Sequence, residues 1–132
     1  MLTVVPFIYD DRDDLKANTY IIKDNNKCVV VDPSADNDNL GNYIEKNGLV
    51  LKAILLTHSH IDHMRGANRL IARFNPDLYV GFDDEIGLTD QDYNCANIMN
   101  EHCVISKKPI TVSDNKIIKI LIIFLIFFYN CL

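Results

Sequence analysis

With 132 residues and 48% apolar content, the chain has the length and composition of one globular domain rather than a disordered or fibrous protein. Its 18 acidic against 13 basic residues give a net charge of −5, which argues against the basic face that binding nucleic-acid backbones requires. Cys28, Cys95, Cys103 and Cys131 form no C-x-x-C and are expected as reduced thiols, and no basic, apolar leader opens the chain, so a cytoplasmic protein is expected.

Residues 2–9 are apolar and β-branched apart from Pro6, which predicts a first strand at a sheet edge or with a bulge. Four carboxylates around Arg12 in residues 10–14 then read as a solvated loop. Residues 18–23 and 27–32 predict paired strands, because Asp24, Asn25 and Asn26 between them tolerate left-handed backbone. Asp32-Pro33-Ser34 closes the second of these strands. A helix is predicted from about Asp38, with Leu40, Tyr43, Ile44 and Asn47 at helical offsets. Asp36, Asn37 or Asp38 can cap it, and Gly48 suits its stop. Residues 49–56 predict another strand. Beyond Gly66, the stripe Ala67, Leu70, Ile71 and Phe74 predicts a second helix that Pro76 ends, and Leu78, Tyr79 and Val80 make a short strand. Strands and helices in this order predict an α/β (α+β) fold.

The pattern weakens from residue 81 to 106. Gly81-Phe82-Asp83-Asp84-Glu85 predicts a short acidic helix start, and residues 91–103 are polar with scattered apolar positions. His102, between Glu101 and Cys103, reads as a surface or packed residue rather than a ligand. Residues 111–119 predict a hairpin around Ser113-Asp114-Asn115. Residues 120–129 are apolar throughout, with neither alternation nor a helical stripe. They fall well short of the roughly 20 residues a membrane-spanning helix needs. A buried strand is expected there, with an interfacial tail as the other reading.

The densest chemistry follows strand 49–56. Three of the four histidines and one carboxylate fall within six positions: His58, His60, Asp62 and His63. Imidazole with carboxylate is a donor set that Zn²⁺ and related first-row metals favour. His58 and His60 are two apart and point the same way in an extended segment. Asp62 and His63 share no single helical face with both, so a loop is expected to turn around a metal centre. The i, i+4 histidine pair of a His-Glu-x-x-His helix is missing. The end of a strand is also where open α/β sheets place their chemistry.

Thr57-His58-Ser59-His60-Ile61-Asp62-His63 resembles the His-x-His-x-Asp-His motif of the metallo-β-lactamase fold, a superfamily of mostly dizinc hydrolases. With Asp32-Pro33-Ser34 and Asp62-His63-Met64-Arg65-Gly66-Ala67, it looks most like the hydroxyacylglutathione hydrolase (glyoxalase II) branch. The resemblance covers about residues 15–120 and implies the N-terminal half of an αββα sandwich. Residues 1–132 would then be a single incomplete domain with an apolar tail at 120–132, since the later histidine and bridging aspartate segments of complete members do not occur; this implies a truncated copy. The resemblance also implies His58 and His60 on one zinc and Asp62 with His63 on a second, iron or manganese being the other metals. Asp62 would be catalytic, aiming a metal-held hydroxide, and Asp32 would support the loop by hydrogen bonding. The polar segment after residue 81 would face substrate.

The implied activity is hydrolysis of a small thioester or ester. Two ligands per ion fall short of the three that catalytic zinc normally keeps, so little turnover is expected from this chain alone. A metal-binding remnant without turnover is the alternative reading; the acidic charge disfavours a nuclease of the same fold. Neither a nucleic-acid nor a membrane partner is expected.

Overall fold

In the computed structural model, which describes residues 2–9, 16–113, 117–120 and 123–126, the β-branched runs become strands β1 (Leu2–Phe7), β2 (Thr19–Asp24), β3 (Lys27–Val31), β4 (Val50–Leu55), β5 (Asp77–Gly81) and β6 (Ile110–Val112). They form one sheet in chain order, β1-β2-β3-β4-β5-β6. The first three strands pair antiparallel and β3 to β6 pair parallel. Asn25, at φ 53°, supplies the left-handed residue of the β2–β3 turn. Pro6 has no N–H for a ladder and lies on β1, the sheet edge, opposite Tyr20.

Parallel neighbours require crossovers. Helix α1 (Asn39–Lys46) makes the first, and α2 (Ile61–Met64) with α3 (Ala67–Phe74) makes the second. Of the three candidate caps of α1, Asp38 holds the N-cap position without a side-chain cap bond, and Asn37 before it accepts the Asn39 N–H on Oδ1 at 3.0 Å. Leu40 and Ile44 are its buried face, and Gly48, at φ 63°, ends it. Asn47 does not extend the apolar stripe; its Nδ2 donates to the Tyr43 carbonyl at 2.8 Å.

Side chains alternate across the sheet. Cys28, Val30, Ile54, Leu78 and Val80 join Leu40, Ile44 and Leu70 in the core under the helices, while Val29, Ala53, Leu55 and Val112 are buried on the opposite face. Burying Val30, Ile54 or Leu78 contributes about 1.5–3 kcal/mol each. A parallel sheet buried on both faces explains why β3 and β4 read as nearly continuous apolar runs.

The turn of the expected hairpin at 111–119 lies outside the described residues. Ile110–Val112 adds to the open edge of β5, where unpaired backbone groups await a partner. An antiparallel pair lies further along, between β7 (Ile117–Ile120) and β8 (Ile123–Ile126). The expected loop at 10–14, residues 114–116 of the expected turn and much of the apolar tail lie outside the described residues. Among the described residues no helix is long and apolar enough to cross a membrane.

Candidate metal centre

Asp32 follows directly on β3; it is 5% exposed and takes a left-handed backbone conformation at φ 51°. That turn aims its carboxylate at the end of the neighbouring parallel strand. Asp32 Oδ1 accepts the Thr57 N–H at 2.8 Å, and Oδ2 accepts the Thr57 hydroxyl at 2.6 Å and His63 Nδ1–H at 2.8 Å. The expected supporting contact is therefore present, reaching His63 as well as the loop. A second tie runs through the buried Ser34, whose hydroxyl donates to the Asp62 carbonyl. Gly66 completes the join: its N–H donates to the Pro33 carbonyl at 2.8 Å, and a Cβ there would collide with the Ala35 carbonyl oxygen.

The loop is only half irregular. His60 is extended, at φ −87° and ψ 149°, but Asp62 and His63 ride on the single turn of α2. The Asn94 carbonyl accepts the Ile61 N–H at 2.8 Å and so satisfies one open donor at the start of that turn. The turn carries Asp62 and His63 toward His58. Ligand-type atoms of these three residues lie within 4.8 Å of one another. His60 is outside that group; its ring meets His58 edge-on, with centroids 4.7 Å apart. Among the described residues His58, Asp62 and His63 form the close group, with the His60 ring beside His58.

Two imidazoles and a carboxylate fit a zinc-class cation, and the hydrogen bonds prepare them for it. The Thr57 hydroxyl gives its one proton to Asp32, so at 3.2 Å it can only accept from His58 Nδ1–H. His63 likewise donates Nδ1–H to Asp32. The His58 ring therefore keeps Nε2 as its lone-pair nitrogen, whereas His63 must release a proton from Nε2 before that atom can ligate. Burial, then the neighbouring His63 and His60, push His58 down from its ordinary 6.5, which favours the neutral, ligating form. For His63, burial also acts downward, but hydrogen bonds to Asp32 and Asp62 outweigh it and lift the imidazole to about 9. Its Nε2 lies 3.4 Å from Asp62 Oδ2. Burial would raise Asp62, yet His63 prevails and holds the carboxyl below 3.8.

The metallo-beta-lactamase superfamily model matches residues 12–118. The chain belongs to that superfamily. The Probable metallo-hydrolase YqgX of Bacillus subtilis is 27% identical over 85 residues, covering 64% of this chain and 40% of that protein. Hydroxyacylglutathione hydrolase 1 of Vibrio vulnificus is 39% identical over 70 residues, covering 52% and 28%. The matched stretches thus span well under half of these curated relatives. Among solved structures, the B3 metallo-beta-lactamase BLEG-1 superposes with a TM-score of 0.73 at 23% identity, over 81% of this chain and 53% of its own. TTHA1623, solved in a di-iron-bound form, gives 0.64 at 22% identity, over 75% and 50%. These two likenesses are of fold.

In this metallo-beta-lactamase chain, the weakly patterned segment after β5 braces the metal loop. It opens as a 3₁₀ helix, Phe82–Leu88, where an acidic helix start was expected. The buried Asn94 ties it together, its Nδ2 donating to the Gly87 and Cys103 carbonyls at 2.8 and 3.2 Å. Arg65 reaches across to Glu101 with two bonds of 2.8 and 3.0 Å. Sequence reasoning missed Ser34, Asp84 and Asn94. The signal it had was the alternation of hydroxyls and imidazoles in Thr57-His58-Ser59-His60.

Two cavities adjoin the loop. One of about 170 Å³ is lined by His60, Asp62, Cys95 and Met99; the other, of about 470 Å³, by Lys16, Asp36, Arg65, Glu101 and His102. His102 is exposed at the larger one and outside the ligand group.

Proposed function

We propose that this chain serves metal-dependent hydrolysis of a small thioester of the hydroxyacylglutathione kind, with His58, His60, Asp62 and His63 as the metal ligands. The observation that carries this reading is the meeting of His58, Asp62 and His63 at a strand end, with His63 fixed by Asp32. Zinc is the ion the donor set favours, iron or manganese being the alternatives. When bound, it would supply Lewis acidity and a water acidified from pKa 15.7 to about 7.

The chain's own residues do the rest. Asp62, kept ionised by His63, accepts a hydrogen bond from the attacking water and aims its lone pair. Asp32 holds the His63 ring against rotation. The cavity beside His60 and Asp62 receives the acyl group, with Met99 and Cys95 excluding water. A carboxylate held ionised is a poor proton donor, which favours a thiol leaving group that departs with little protonation. Residues 1–132 are read as one incomplete unit of the fold. A cytoplasmic setting suits the free thiols Cys28, Cys95 and Cys103.

Elemental analysis combined with turnover of S-lactoylglutathione tests this. One zinc per chain is expected, with slow hydrolysis that chelation and Asp62→Ala abolish. Two tightly held ions with rapid turnover would overturn the single centre. Metal uptake without turnover of any thioester or ester would replace the hydrolase by the metal-binding reading, and no uptake at all would end both.

A further inference from the structure

Ser59 lies between the two exposed or half-buried imidazoles of the loop, yet it is itself fully buried. Both of its donors go to one atom: its N–H and hydroxyl donate to Asp84 Oδ1 at 3.3 and 3.1 Å. Asp84 sits on the 3₁₀ helix after β5 and is 3% exposed. Gly87 presses the same helix onto the loop, since a Cβ there would collide with the Ser59 hydroxyl and come within 2.9 Å of its carbonyl oxygen. The Tyr93 hydroxyl approaches Asp84 Oδ1 from outside at 3.4 Å. Asp84 Oδ2 has no hydrogen-bond partner. An unpaired oxygen in a dry interior is costly, and an apolar side chain would join helix to loop without that cost. The carboxylate therefore calls for an explanation beyond packing.

We propose that Asp84 is a positioning residue for the metal loop, fixing the aim of His58 and His60 through Ser59 as Asp32 fixes His63 directly. The inference rests on the reading that this loop binds a cation. Ser59 is buried between the half-buried His58 and the exposed His60, while Thr57, though exposed, turns its N–H and hydroxyl to Asp32. Asp32 thus pins Thr57, and Asp84 pins Ser59. With both held, the backbone dihedrals from which the two imidazoles project are set before any ion arrives. With Asp84 gone, the segment carrying His58 and His60 is held only at its ends, by Thr57 on Asp32 and by the Ile61 N–H on Asn94.

Zinc affinity of the full chain, measured by competition with a chromophoric chelator, tests this, with the visible spectrum of the Co²⁺-loaded protein as a second readout. Asp84→Ala is expected to weaken zinc binding by about 10–100-fold, as loss of a ligand-orienting partner does elsewhere, and to alter the Co²⁺ spectrum. Asp84→Asn keeps an acceptor for Ser59 and is expected to restore near-parental affinity and spectrum. Ser59→Ala should weaken binding less, because the N–H contact remains, and adding it to Asp84→Ala should cost nothing further. Val80→Ala, in the core of β5, should lower the melting temperature and leave zinc affinity alone.

Parental affinity and spectrum in Asp84→Ala would overturn the proposal, as would a loss no greater than in a Val80→Ala protein of equal melting temperature. If Asp84→Ala does not fold, parental affinity in Ser59→Ala overturns it instead. Failure of the parent chain to bind zinc would remove the underlying reading together with the proposal. Tight binding by the parent with indifferent variants would remove only the proposal.

Discussion

His63 stands between two carboxylates, and its ionisation couples the centre to pH. In the metal-free protein its imidazole is lifted from 6.5 to about 9, because bonds to Asp32 and Asp62 outweigh burial. A group with a raised folded-state pKa adds stability below its unfolded value and loses it as pH climbs through the folded one. Metal-free protein should therefore be most resistant to urea near pH 6, and should lose on the order of 2–3 kcal/mol by pH 9. Asp62 works in the opposite sense: its depressed pKa adds stability above 3.8 that fades in acid. Asp32→Asn should flatten the decline between pH 6 and 9 and bring the His63 ring toward its ordinary titration, as followed by NMR of its Cε1–H. Asn is the appropriate replacement because it tolerates the φ of 51° that most side chains resist.

At the scale of elements, the metal loop is a short stretch clamped between other segments. The Asp-Pro-Ser turn holds it from one side, and the 3₁₀ helix with Asn94 from the other. Gly66→Ala tests the first clamp, since the new methyl would run into the backbone carbonyl oxygens of Ala35 and Pro33. Overpacking against backbone typically costs about 1–3 kcal/mol. The melting temperature should fall accordingly, with zinc affinity falling beside it because α2 must shift. Much of this level was legible in the sequence. Period-two and helical patterns located β2, β3, α1, β4 and α3, because each buries one face or both against a common core. The brace after β5 was not legible. Asp84 and Asn94 work through a few side-chain hydrogen bonds across loops, which leave no periodicity. The pairing of Ile110–Val112 with β5 was not legible for a related reason, since the open edge of β5 is a nonlocal fact. The motif put forward the candidate ligands, and the α2 turn is what brings His58 together with Asp62 and His63.

For the molecule as a whole, a cation seated on His58, Asp62 and His63 would bind the folded state and not the unfolded one. Zinc should then raise the melting temperature with the logarithm of its free concentration once that exceeds the dissociation constant. The gain is about 2.7 kcal/mol at a hundredfold excess over the dissociation constant. A thermal shift series with and without chelator measures this. The loop is anchored by residues as far apart as Thr19, Ser34, Asp32 and Asn94: Thr19 bonds the Asp32 carbonyl at 2.6 Å, and Ser34 bonds back to Thr19 at 3.1 Å. Such a centre comes into being only when distant parts of the chain have already found one another. A synthetic peptide spanning residues 55–67 has every expected ligand but none of these supports, and should hold zinc far more loosely than the parent. Ion capture would then act as a late checkpoint, rewarding completed assembly rather than starting it.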